Sequence, residues 1–131
     1  MYGRHRYKQN RLTTAQPGDL IVMLYDGMLK FMDVVIKATE DDDHAETGLH
    51  VSKVVDIIAY LQAVLRTDVA PELAQSLDTT YTSWSLHLVQ ANVNKDMEMF
   101  KNIREQIQGL REAWAEASQK AADEENNGAQ Q

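Results

Sequence analysis

The chain has no cysteine. Disulfide frameworks, thiol nucleophiles and cysteine-ligated metals are excluded together. Proline occurs twice and glycine six times, so few positions interrupt a helix. No stretch of useful length alternates apolar and polar residues as a strand does. Basic residues are outnumbered 13 to 20, and the net charge of -7 argues against nucleic acid as the main ligand; phosphate binding needs clustered Lys and Arg. No apolar run approaches the roughly 20 residues of a membrane-spanning helix. The N-terminus is polar and lacks the apolar stretch of a secretory signal. These absences fit a cytoplasmic protein without membrane insertion.

What remains is 131 residues, 44% hydrophobic. That suffices for one domain, which at this size buries roughly two-thirds of its unfolded surface. Charge is unevenly placed. Arg4, Arg6, Lys8 and Arg11 put +4 on the first 11 residues, which leaves -11 on the rest. Residues 1–15 read as a flexible basic arm, either solvated or folded back onto the acidic body.

Four amphipathic helices follow within a bundle domain spanning 16–119. Pro17 and Asp19 suit a first helical turn, where a missing N–H costs nothing and an acid meets the positive end of the dipole. Leu20, Leu24, Met28, Phe31 and Val35 then form one stripe, widened by Ile21, Met23 and Met32, to about Thr39. Asp43 and Glu46 have the spacing of a capping box for the second helix, which carries Val51, Val54, Ile58, Leu61 and Leu65. Pro71 opens a third helix with Leu73, Leu77, Tyr81, Trp84, Leu88 and Ala91. Residues 92–96 read as a turn. The fourth helix carries Phe100, Ile103, Ile107, Leu110, Trp114 and Ala117. Residues 120–131 read as a disordered polar tail. Short connections favour antiparallel neighbours, hence an all-α, up-down four-helix bundle.

No constellation points to catalysis, a metal or a cofactor. A di-iron bundle needs Glu-x-x-His pairs, and Glu46 and His50 are four apart. Asp41, Asp42 and Asp43 with His44 lack the alternation and glycine of a calcium loop. Ser83, Ser85 and His87 lie on a helix without a nucleophile elbow. The chain reads as a non-enzyme whose chemistry is recognition. Val54, Ile57, Ile58, Leu61 and Val64 spread too far around the second helix to face one bundle centre. The surplus predicts an exposed apolar strip, to be covered by a partner helix, a second copy or the arm. Gly27 and Gly109 each cost about 1 kcal/mol inside a helix. Gly27 implies close approach, either of another bundle helix or of a further segment.

Several segments together resemble the FliS-type flagellin export chaperones. They are Tyr7-x-x-Asn10, Thr14-Ala15 with Pro17-Gly18-Asp19-Leu20, Met23-Leu24-Tyr25-Asp26-Gly27, Leu88-Val89-Gln90-Ala91-Asn92 followed by Asp96, and Leu110-Arg111-Glu112-Ala113-Trp114. Trp84, His87, Gln90 and Val69-Ala70-Pro71 depart from the family pattern, which bears on partner choice. The resemblance implies a cytoplasmic chaperone, using no cofactor, that holds the C-terminal segment of flagellin, prevents premature polymerisation and delivers it to the flagellar export gate. It implies a client that wraps the bundle and an arm whose Tyr7 fills an apolar pocket until displaced. The partner-binding residues expected from the residue pattern are Tyr7, Asn10, Leu24, Gly27, Val54, Ile57, Ile58, Leu61, Val64, Phe100 and Ile103. A self-associating structural bundle and a chaperone for another flagellar export client are the alternatives. Monomer and homodimer both remain open.

Overall fold

The computed structural model describes residues 14–130. Four helices run through them: α1 Gly18–Glu40, α2 His44–Ala63, α3 Pro71–Asn94 and α4 Met97–Gln130. Each boundary has a local cause. Pro17 precedes α1, and Asp19 sits in its first turn. The Asp43 carboxylate accepts the Glu46 N–H at 3.1 Å and starts α2. Pro71 stands in the first turn of α3. Lys95 takes the left-handed conformation, φ 53°, that ends α3. The Asp96 carboxylate then accepts the Met99 N–H at 3.1 Å.

Helices α1 and α2, α2 and α3, α3 and α4, and α4 and α1 are neighbours, which makes the ring of an antiparallel up-down bundle. The centre is fully buried and mixed in chemistry. Ile21, Met28 and Met32 of α1 meet Val54, Ile58, Leu88, Phe100 and Ile107. Tyr25 and Tyr81 share a hydrogen bond of 2.6 Å between hydroxyls. The Trp84 ring packs edge-on against both, with centroids 6.4 and 5.6 Å away, and its Nε1–H donates to Gln106 Oε1 at 2.9 Å. Among the described residues, no buried side-chain N or O lacks a partner. Burial pushes both phenols above their ordinary value of 10.0.

The α1–α4 pair is held differently. Ser118 Oγ donates to Asp19 at 2.7 Å, Arg111 Nε to Asp26 at 2.8 Å and Arg104 Nε to Asp33 at 2.6 Å. On both helices these rungs step by seven residues, so each is two turns from the next.

Four details differ from the sequence-based expectation. The buried line of α1 runs through Ile21, Tyr25, Met28 and Met32, while Leu24 and Phe31 are only partly buried. A tyrosine can sit there because Tyr81 satisfies its hydroxyl. Leu73 is 49% exposed, and its neighbour Ala74 enters the core instead. Helix α3 continues through Asn94, which leaves only Lys95 and Asp96 as the turn. Finally, α4 runs to Gln130 rather than leaving the bundle near residue 119. Ala121 is fully buried, and Gln119 donates to Asp123 one turn on. A run rich in Gln, Lys, Ala and Glu has good helix propensity once its start is anchored.

Candidate functional site

Two surfaces stand out among the described residues. Among the described residues, no group of three His, Cys, Asp or Glu could hold a metal ion. None of the described helices is long and apolar enough to cross a membrane.

The first surface is the outer groove between α1 and α2. Gly27 and Ile57 face each other across it, and Phe31 lies over His50 at 5.8 Å between ring centroids. Leu24 and Leu20 continue the Gly27 line one and two turns back, and Val64 continues the Ile57 line two turns on. Leu24, Phe31 and Ile57 are partly buried against the core, so their outer sides form an apolar floor. A Cβ on Gly27 would stand 3.6 Å from Ile57 Cδ1, an ordinary contact. Helix packing therefore does not require glycine at this position. Its effect is a floor one methyl group deeper, open to a further segment. At one end of the groove, Lys53 Nζ sits 5.3 Å above the Phe31 ring. His50 is nearly buried, donating from Nδ1 to the Glu46 carbonyl at 3.0 Å.

At the other end, the chain N-terminal to α1 is tied down. The Ala15 N–H donates to the Val64 carbonyl at 3.0 Å, and Thr14 Oγ1 donates to the same oxygen at 3.2 Å. Val64 is the C-cap of α2, so its carbonyl lacks an intrahelical partner. The arm root supplies one. Thr14 and Ala15 thus lie at the Val64 end of the apolar groove.

The second surface surrounds α3. Leu86, Val89 and Val93 are 55%, 51% and 75% exposed. Their spacing of three and four places them on one line, pointing away from Tyr81, Trp84 and Leu88. From Thr79 to Asn94 α3 carries no Asp, Glu, Lys or Arg.

The expected partner-binding residues divide between core and surface. Val54, Ile58, Leu61, Phe100 and Ile103 are at most 2% exposed. In this structure they hold up the groove from beneath. Leu24, Gly27, Ile57 and Val64 come together along the α1–α2 groove. Tyr7 and Asn10 lie outside the described residues. The exposed strip expected on α2 is partly closed against α1, whereas the outer face of α3 escaped sequence reasoning. A signal for it existed: a second apolar line on α3, offset from the core line, in a stretch without charge.

The family model described as "Flagellar protein FliS" matches residues 1–121. The chain is 35% identical over 113 residues to the flagellar secretion chaperone FliS of Bacillus subtilis (strain 168), covering 86% of this chain and 84% of that protein. It is 29% identical over 119 residues to the flagellar secretion chaperone FliS of Salmonella typhimurium, covering 90% and 88%. For the Escherichia coli (strain K12) protein of the same description, identity is 26% over 110 residues, covering 83% and 81%.

Proposed function

The chain belongs to the FliS family of flagellar secretion chaperones, and we propose that its client is the C-terminal segment of flagellin, held in the cytoplasm against premature polymerisation and passed to the export gate. The observation that carries this reading is the α1–α2 groove. It has an apolar floor, a glycine that intramolecular packing does not need, and the root of the N-terminal arm fastened at one end. An unfolded client segment becomes an amphipathic helix in such a groove by burying its apolar side. Ordering it costs about 2–5 kcal/mol or more, so the client must cover a large surface to bind tightly. In this scheme Tyr7 and the arm occupy part of the same surface and lower the apparent affinity until displaced. No cofactor or covalent step enters.

The test is calorimetric titration with a peptide spanning the last ~40 residues of flagellin from the same genome, longer than one marginal ~12–15-residue helix. Tight binding with a large negative heat-capacity change is expected. Tyr7→Ala should change the affinity while leaving helicity and thermal midpoint unchanged. A peptide that does not bind removes the flagellin reading and leaves another export client in its place.

A further inference from the structure

We propose that Lys30 and Lys53 set the charge preference of the α1–α2 groove, so that it selects an amphipathic helix carrying carboxylates beside its apolar stripe. The inference deepens the reading of this groove as the client's seat and rests on it.

The first observation is where the acids near the groove are held. On α1, Asp19, Asp26 and Asp33 all engage α4, through Ser118, Arg111 and Arg104. The ladder thus draws the carboxylates of that helix away from α2. Lys37 is matched by Asp41 at 3.3 Å, whereas Lys30 has no ion-pair partner among the described residues. Lys30 is exposed and stands one turn after Gly27. On α2, the Glu46 carboxylate lies 3.3 Å from His50 Nδ1. Asp56 falls on the outer side of Lys53, and Ile57 on the inner side. On both walls, therefore, a lysine is the charge nearest the apolar floor. A basic rim runs against the net charge of -7 on the whole chain.

The second observation is the pose of Lys53. It belongs to α2 and Phe31 to α1, so an ammonium 5.3 Å above the ring reaches across the groove. At an exposed site such a contact is weak. A helix that lays an apolar side chain on Phe31 must move the ammonium aside. A carboxylate on the margin of that helix then gives the displaced cation a charged hydrogen-bond partner. Lys30, next to Phe31 in the chain, supplies a second cation at the same level. A helix without charge leaves both lysines unmatched, and a basic helix meets two like charges.

The probes are three synthetic amphipathic peptides of ~20 residues, longer than a marginal helix. They share one apolar stripe, flanked by Glu, Gln or Lys, and contain no flagellin sequence. Fluorescence anisotropy on the full chain reads their affinities. Each exposed pair contributes roughly 1.5–5-fold, so the Glu peptide should bind several-fold more tightly than the Gln peptide, and the Lys peptide most weakly. At ~1 M salt, where the screening length is about 3 Å, the preference should fade. Lys53→Gln and Lys30→Gln should each lower affinity for the Glu peptide and spare that for the Gln peptide. Lys101→Gln, an exposed lysine of α4, should leave the preference intact. Gly27→Ala should weaken the Glu and Gln peptides alike, as both lie over its floor. Circular dichroism checks that the variants remain folded. Equal binding of the Glu and Gln peptides overturns the proposal. So does an equal effect of Lys101→Gln and Lys53→Gln, which reduces the preference to general attraction. Failure of all three peptides to bind removes the groove as a helix seat, and this inference with it. A flagellin peptide that does not bind, while the Glu peptide keeps its advantage, touches the client reading alone.

Discussion

Between α1 and α4, all three cross-helix rungs include a charged side chain, and two are Arg–Asp pairs. Around α3, the outward positions from Thr79 to Asn94 carry no charge at all. The two regions belong to one bundle and pack through the same kind of apolar stripe. They differ in what they tell a neighbour. Charged rungs say which residue must sit opposite which, because a shift of one residue breaks every one. The outward line of a neutral helix imposes no such demand, and the register of α3 rests on its seams, where Gln62 donates to Asp78 and Thr82 and Trp84 donates to Gln106. The lesson is that the closed seam has its specificity in polar pairs, while the open face has apolar side chains and room.

The contrast can be broken most severely at the buried end. Trp84→Ala removes the ring that locks α3 to the core and should destabilise the bundle by about 3–5 kcal/mol in denaturant titration. Next in size is the hydroxyl pair. Tyr25→Phe removes the 2.6 Å bond between the two buried hydroxyls, leaving Tyr81 only Trp114, and should cost about 1–3 kcal/mol. The same pair makes a pH prediction. The folded phenols hold their protons above 10.0, and in the unfolded chain they release them near pH 10. Above that pH the unfolded state binds fewer protons, so stability falls as pH rises, by up to about 1.4 kcal/mol per unit for each phenol. Below pH 10 the pair adds no slope. Chemical denaturation between pH 8 and about 11.5 checks both the sign and the window. A smaller change of opposite sign comes from the glycines. Gly27→Ala and Gly109→Ala should each raise stability by about 0.8–1 kcal/mol, and only Gly27→Ala should weaken capture of the flagellin peptide. Equal effects on capture would erase the distinction between groove and far seam. Smallest are the surface rungs. Asp26→Ala and Arg111→Ala should each lower the denaturation midpoint only slightly. Their coupling in a double-mutant cycle should shrink at high salt.

Much of this architecture was legible in the order of residues. Helix number, caps at Asp43 and Pro71, and the core lines of α2 and α4 follow from period and capping chemistry, which are local. The family resemblance followed from motifs spread along the chain. What escaped depended on neighbours. Leu24 and Tyr25 are adjacent, and only a tyrosine on another helix makes the second a core residue. Val54 and Ile57 look alike in sequence. Their burial separates them because one points to the centre and the other to the α1 seam. The outer face of α3 was hidden for the opposite reason. Leu86 and Val89 lie beside a stronger stripe, Val93 falls in the stretch read as a turn, and the informative fact was the charge missing around them. Helical continuation past residue 119 depended on the Ser118–Asp19 anchor, a contact between positions 99 apart in the chain.

The seven-residue step of the α1–α4 rungs has a geometric consequence for the whole molecule. Two turns of a straight α-helix take slightly more than seven residues, so rungs at that spacing drift around each axis by about 20° per step. Keeping Asp19, Asp26 and Asp33 opposite their partners favours a left-handed winding of α1 about α4. Three hydrogen-bonded rungs at this spacing match the repeat of a left-handed supercoil.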